Sequence, residues 1–222
     1  ATSVILSAAN GADIKVLNMY SRSPKAFCMY SKDESLTTPE SLKGKTIAGP
    51  AGTNLHELLV SYLAQAGMTM DDVNYVSMSI PDAKAGLDGG SVDVALLAGA
   101  VAYNADKQGY HKVTDGEGLI KAIIAVATTQ KFYDEHPEVI AQLEKSQQEI
   151  ADFMKENPDE TMSIVAKELD LDEEAVREMY DYYDFSLNIS EDDIDGFQKT
   201  ADFMLESGMI DEALDVNSLF IK

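Results

Sequence analysis

A single cysteine, Cys28, in 222 residues leaves no room for an internal disulfide or for a CxxC metal or redox motif. Basic side chains are scarce too: 17 Lys and Arg stand against 39 Asp and Glu, a formal net charge of −22. Contacts to phosphate need clustered cations, so nucleic acid and anionic membrane surfaces are disfavoured as partners, and the charge reads first as a source of solubility. No apolar run approaches the roughly 18 residues of a membrane span. No charged segment followed by an apolar one opens the chain, so an exported protein would have lost its signal already. The three histidines, His56, His111 and His136, show no HExxH spacing, GxSxG is absent, and Cys28 falls in an expected strand without a local base. No catalytic constellation is visible. The acidic segments at Asp134 to Glu138 and Asp181 to Asp184 read as helix-end charges and a half-buried aromatic patch rather than metal sites. Neither an internal repeat nor a Pro-, Gly- or Ser-rich linker occurs, so any domain boundary lies in strands that cross between lobes.

What is present is organised around residues 43–99. Lys45 to Gly49 is a short apolar run, Gly49 to Gly52 turns the chain, and Thr53 or Asn54 is a natural N-cap. Leu55, Leu58, Leu59, Tyr62, Leu63 and Ala66 then form one helical stripe ended by Gly67. Val73 to Met78 alternates like a strand, Pro81 to Leu87 suits a short helix, and Val92 to Leu97 is a run bounded by glycines. This βαβαβ order predicts a parallel sheet. With 45% hydrophobic residues the chain can bury one sizeable core or two smaller ones.

In chain order, Ala1 to Ala9 reads as the tail of a helix, Ile14 to Tyr20 and Ala26 to Ser31 as strands, and Thr38-Pro39-Glu40 as a helix start. Val101 to Gln108 is expected to be helical, Tyr110 to Gly118 to be a turn, and Ile120 to Thr128 a strand. Beyond Gln130 the pattern is helical: Pro137 to Asn157, Pro158 to Leu169, Asp172 to Tyr183 and Glu191 to Ser207. Val139, Ile140, Leu143, Ile150, Phe153 and Met154 are expected to be the core face of the first.

The series SLKGKTIAGPAGTNLHELL, QAGMTMDDVNYVSMS and DAKAGLDGGSVDVALL, followed by HPEVI and NPDE, resembles the nitrate, sulfonate and taurine type of substrate-binding protein of ABC importers, a group that includes binders of a thiamine pyrimidine precursor. The likeness covers almost the whole chain. It implies an α/β, periplasmic-binding-protein-like type II fold: two α/β lobes joined by crossing strands near 26–32 and 123–128, with a helical C-terminal part. Lobe one would be 1–32 and 122–222, and lobe two 33–121. The family's opening strand, helix and strand have no counterpart ahead of Ala1, so lobe one is expected to be incomplete, or a second copy to supply the missing edge as a homodimer.

A helix start offers free N–H groups and the positive end of a dipole, and glycine permits close approach, so Gly52, Thr53 and Asn54 lead the ligand-binding candidates. Each also serves as an ordinary N-cap residue, and the resemblance tips the balance toward ligand. The sulfonate-binding members are similar in having a histidine at His56. Leu97, Ala98 and Gly99, at the carboxyl end of a parallel strand, would be the second wall; relatives carry an aromatic and a proline there, and Tyr103 is a substitute aromatic face or a helix core residue. Tyr20, Ser21 and Arg22 complete the set, Arg22 either as a fork for an anion or as a structural arginine. Ligand charge stays open.

The resemblance implies an extracytoplasmic receptor, periplasmic or lipid-anchored at the outer face, that hands a small sulfonate, nitrate, carboxylate or pyrimidine to a membrane permease, without cofactor or metal and without catalysis. The alternatives are the effector domain of a regulator and an enzyme of thiamine-pyrimidine synthesis.

Overall fold

The computed structural model describes residues 1–221. Its elements are α1 (Thr2–Ala9), β1 (Ile14–Arg22), β2 (Phe27–Ser31), β3 (Thr46–Gly49), α2 (Asn54–Ala64), β4 (Asn74–Ser77), α3 (Ile80–Gly89), β5 (Val94–Ala98), α4 (Gly99–Lys107), β6 (His111–Asp115), β7 (Ile123–Thr129), α5 (Gln130–Glu135), α6 (Pro137–Glu156), α7 (Pro158–Leu169), α8 (Glu173–Tyr180) and α9 (Glu191–Glu206).

The larger sheet has the order β4-β3-β5-β2-β6. The expected parallel unit is there, β3 lying parallel to both β4 and β5, but β2 and β6 extend it antiparallel. The turn expected over Tyr110 to Gly118 is a correction: residues 111–115 form β6. Pairing with β2 and burial of Val113 outweigh the local glycine and aspartate signal. Thr38 to Leu42 is a short 3-10 turn closed by a Thr38–Ser41 capping box rather than an α-helix.

Successive strand residues point to opposite faces, and the sheet is covered on both. On one face α2 sets Leu55, Leu58, Leu59 and Leu63 against Met29, Ile47, Val94 and Leu96. Each fully buried leucine contributes roughly 1.5–3 kcal/mol. On the other, Ala48, Ala95 and Leu97 meet Ala83 and Leu87 of α3 and Ala102 and Ala105 of α4. At Gly49 a Cβ would stand 2.6 Å from Leu96 Cβ, so β3 approaches β5's side chains too closely for any other residue.

A second, two-stranded antiparallel sheet pairs β1 with β7. Ile5 of α1, Val16 and Met19 of β1, Ile123 of β7, and Phe197, Ala201 and Met204 of α9 build its core. The chain passes from this sheet to the larger one through residues 23–26 and returns through 116–122.

The face of α6 expected to be core is exposed. Val139, Leu143, Ile150 and Phe153 are 45, 39, 59 and 38% accessible, and only Ile140 of the helix is buried. The periodicity found the helix, but α6 lies on the surface, tied to β1 by side-chain hydrogen bonds between Asn18 and Gln147 (2.8 and 3.2 Å). Helix α8 stops at Tyr180, three residues short of the expected end, and Tyr182 and Tyr183 lie in the turn beyond it. Among the described residues no helix is long and apolar enough to cross a membrane.

Candidate functional site

β3 and β5 are neighbours and parallel, yet the helices that follow them lie on opposite faces, α2 on one and α4 on the other. Their connections diverge at the carboxyl edge, a topological switch point. β2 begins at the same edge, with Phe27 paired to Ala98, so the 23–26 crossing opens beside it.

The wall at β3 is the turn 50–53 and the start of α2. Gly52 has φ 67°, a conformation that favours glycine, and its Cβ position is 2.8 Å from Leu6 Cδ2 of α1. Thr53 is the N-cap: its hydroxyl accepts the Leu55 N–H at 3.3 Å and donates to the Pro50 carbonyl at 2.9 Å. His56 folds back so that Nδ1 accepts the Gly52 N–H at 3.2 Å, and its ring stacks on Tyr75 at 5.0 Å. Burial lowers its pKa, which keeps the imidazole neutral at pH 7 with the proton on Nε2.

α1 stands across from this wall. The Ser3 hydroxyl donates to the Gly52 carbonyl at 3.0 Å, and the Thr2 hydroxyl lies 2.7 Å from Asn54 Oδ1. Thr2 also contacts Glu57, which accepts from Thr200 of α9 at 3.1 Å. Asn54, Glu57, Thr2 and Thr200 are all buried. Desolvation raises the Glu57 pKa, against the lowering effect of its hydroxyl donors. The two helix starts are thus joined by a buried polar cluster.

At the β5 wall Leu97 is fully buried while Ala98 is half-buried. Gly99 has φ 56°, and its Cβ position is 3.7 Å from the Tyr183 hydroxyl. Tyr183 stacks on Phe185 at 5.3 Å. Tyr103 is engaged elsewhere, its hydroxyl donating to Glu178 of α8 at 3.1 Å and its ring lying under the Lys107 ammonium.

At the end of β1, Tyr20 is exposed and Ser21 buried, its hydroxyl without a partner in the protein. Arg22 is occupied by the protein. Its Nε and Nη2 grip Asp193, each at 2.6 Å, while Nη1 and Nη2 donate to the Ser186 and Asn188 carbonyls at 2.7 and 2.9 Å. Burial alone would raise the Asp193 pKa, but the donors from Arg22 and Ser190 outweigh it and hold it at about 2. The guanidinium therefore fastens β1 to α9, and no free fork is left to face an anion. Cys28 is buried, with its thiol pushed up to about 11 by desolvation, so it is protonated at neutral pH. Among the described residues no group of three or more His, Cys, Asp or Glu could hold a metal ion.

The candidates Gly52, Thr53, Asn54, His56 and Gly99 thus line one edge of the sheet, whereas Arg22 sits in an internal ion pair. The sequence reading missed Thr2, Ser3, Glu57 and Tyr183. Two hydroxyls at the start of a short helix were the available signal for the first pair. Glu57 and Tyr183 gave none, because tertiary packing alone puts them here.

Comparison with known proteins agrees with the fold. The family model described as NMT1/THI5 like matches residues 1–161. A Bacillus subtilis (strain 168) protein named for binding aliphatic sulfonates is 27% identical across 97% of this chain. The chain spans 66% of that relative's length, a little under two thirds. The alkanesulfonate-binding protein SsuA from Xanthomonas axonopodis pv. citri, solved bound to MOPS, superposes with TM-score 0.87 at 21% identity, covering 100% of this chain and 78% of its own. The periplasmic aliphatic sulphonate binding protein SsuA from Escherichia coli gives 0.81 at 20%, covering 100% and 74%. The fold is that of these binding proteins.

Proposed function

The chain belongs to the NMT1/THI5-like family, and from that premise we propose that it is the solute-binding receptor of an ABC importer, taking a small molecule in the crevice between β3 and β5. We divide it into two lobes, 27–115 and the remainder, 1–26 with 116–222: β2, expected in the same lobe as residues 1–32, pairs inside the larger sheet between β5 and β6, so the boundary moves to the crossings at 23–26 and 116–122. The observation that carries the reading is the switch point itself: two connections diverge at one sheet edge, where the capped start of α2 meets α1 in direct hydrogen-bond contact.

The head group this wall suits is one that accepts hydrogen bonds. It offers the positive end of the α2 dipole and a neutral His56 that adds no charge, while the Ser3 and Thr53 hydroxyls donate to the Gly52 and Pro50 carbonyls and hold the wall in shape. The names of the relatives point to a sulfonate; nitrate and carboxylates share the acceptor chemistry. Binding between lobes favours the state in which α1 and α2 meet, so the ligand shifts open and closed populations by its preference for the closed one, and the closed form is what a permease reads. The site of action is extracytoplasmic, as the name of the Escherichia coli structure states for that protein.

A thermal-shift screen tests the reading. A ligand at a hundredfold its Kd stabilises the native state by about 2.7 kcal/mol, roughly 5–10 °C for a chain of this size. At least one sulfonate, nitrate, carboxylate or pyrimidine should produce that shift, and Gly52→Val should abolish it. If none raises the melting temperature of the natural full-length protein, the receptor reading fails.

A further inference from the structure

Of the two non-glycine residues at positive φ among those described, Asp170 caps the end of α7, an ordinary place for it, whereas Ala122 (φ 47°) stands where the second crossing between the lobes enters β7. A Cβ makes that conformation unfavourable, and a methyl group forms no hydrogen bond to offset it. The first crossing runs alongside, the Ser23 N–H reaching the Ala122 carbonyl at 3.4 Å. Here too the hydroxyls of Ser21 and Ser23 are buried without a partner in the protein, and an unpaired buried donor is destabilising. Three unfavourable features thus gather where the chain changes lobes.

The lobes are held together on both faces of the larger sheet. On the α2 face the contacts are the hydrogen bonds from Thr2, Ser3 and Thr200. On the α4 face, Glu178 of α8 accepts from the Tyr103 hydroxyl at 3.1 Å and pairs with the Lys107 ammonium at 2.9 Å. Among the described residues this is the one ion pair that joins the lobes, every other pair lying within a single lobe. The packing around it is loose. A cavity of about 240 Å³ is lined by Gly99 and Ala100 of α4 together with Met162, Val176 and Met179 of α7 and α8, and Met162 and Val176 form a small core of their own with Ala166. An interface with a void in it forgoes close contacts, so α8 can part from α4 without disrupting either lobe.

We propose that the solute-free protein is strained at its crossing and latched at α8: the unfavourable contacts at Ala122, Ser21 and Ser23 drive the lobes apart, and the Glu178 latch onto Tyr103 and Lys107 holds them closed. The balance sets how much closed form a solute meets. This deepens the receptor reading, on which its functional meaning rests. A solute binds more weakly in proportion to the fraction of protein that is competent to take it, so latch and crossing tune affinity without touching the solute. Losing an exposed ion pair shifts such a balance by about two- to fivefold, and relieving one left-handed alanine by about fivefold or more. The latch side chains are 52 and 45% exposed, so salt screens them and ionic strength becomes an input to the receptor.

The test is made without solute. Spin labels at Gln65→Cys in one lobe and Lys145→Cys in the other, both exposed positions, read closed and open populations as two distances in a Cys28→Ala background. Small-angle X-ray scattering reads opening as a larger radius of gyration. Raising salt from low ionic strength to about 1 M should shift the protein toward the open form. Glu178→Gln keeps an acceptor for Tyr103 but removes the charge; it should give the same shift at low salt and lose most of the salt response. Lys107→Gln should reproduce it, and the double variant should add nothing further. Ala122→Gly should move the ratio the other way, about fivefold toward the closed form, and is measured in the Glu178→Gln background, where the open form is populated. Either of two results overturns the proposal: distances that ignore both salt and Glu178→Gln, or an Ala122→Gly protein whose ratio is unchanged or moves toward the open form. Calorimetry with octanesulfonate keeps the receptor reading separate: distances that behave as expected in a protein that binds no solute leave the latch standing while the receptor reading fails.

Discussion

Replacing Glu57 by glutamine should leave the protein at least as stable as the wild type at pH 7.5, although it removes a charge from the middle of a polar cluster. Thr2 has one hydroxyl hydrogen but lies within bonding reach of two acceptors, Asn54 Oδ1 and the Glu57 carboxyl. If Thr2 donates to Asn54, the Glu57 oxygen needs its own proton to bond Thr2. Burial favours the same state, since desolvation raises the Glu57 pKa above 4.5. The linkage sign follows. A carboxyl whose folded pKa is raised binds more protons folded than unfolded, so its contribution is most favourable below the unfolded value and is lost as pH rises through the folded one. Glutamine keeps a donor toward Thr2 and an acceptor toward Thr200 with nothing to ionise, so that loss disappears. Glu57→Ala instead strands the buried Thr200 hydroxyl, Thr2 keeping Asn54, at about 1–3 kcal/mol, or on the order of 2–12 °C. Thermal melts of wild type, Glu57→Gln and Glu57→Ala from pH 5 to 8 decide it. A Glu57→Gln protein melting well below wild type at pH 7.5, with the wild type gaining stability as pH rises, would refute the protonated cluster.

The Arg22–Asp193 pair should show the opposite pH dependence. With the Asp193 pKa at about 2 against a reference of 3.8, its stabilisation is complete above the reference value and drains away as pH falls toward 2; Asp193→Asn should flatten that acid limb, and Arg22→Ala should cost about 3–5 kcal/mol by leaving a buried carboxylate unpaired, both read by denaturant unfolding. Gly49→Ala should destabilise by at least 1–3 kcal/mol through overpacking against Leu96, with the melting temperature as readout. An anionic ligand should associate faster as salt is raised from low ionic strength, because a net charge of −22 repels it at long range and salt screens that repulsion; stopped-flow rates falling with salt would point instead to a local positive field.

How much of this was legible in the sequence follows a physical line. Glycine turns, caps and helical stripes are local, so the βαβαβ unit and the helix starts at Thr53, Pro158, Asp172 and Glu191 could be read directly. The ordered motifs placed the fold. β6 was hidden because its strand character comes from pairing with β2, not from its own residues. The apolar stripe of α6 was correctly seen as a stripe, but amphipathicity does not say what a helix packs against, and here four of its members face outward. At the site, the helix-start residues were legible because capping is local chemistry. Arg22 was not, because an arginine's partner is set by a strand and helix separated by 171 positions. The facing hydroxyls of Thr2 and Ser3 likewise depend on how α1 docks.

The central claim is that a small solute sits at the carboxyl edge between β3 and β5, against the first turn of α2. Amide chemical shifts of the 15N-labelled protein, recorded while octanesulfonate is titrated, test it most directly. The largest perturbations should fall on the backbone amides of Gly52, Thr53, Asn54 and Gly99. Saturable binding that leaves those four amides unmoved, with its shifts confined to other surfaces, would contradict the account.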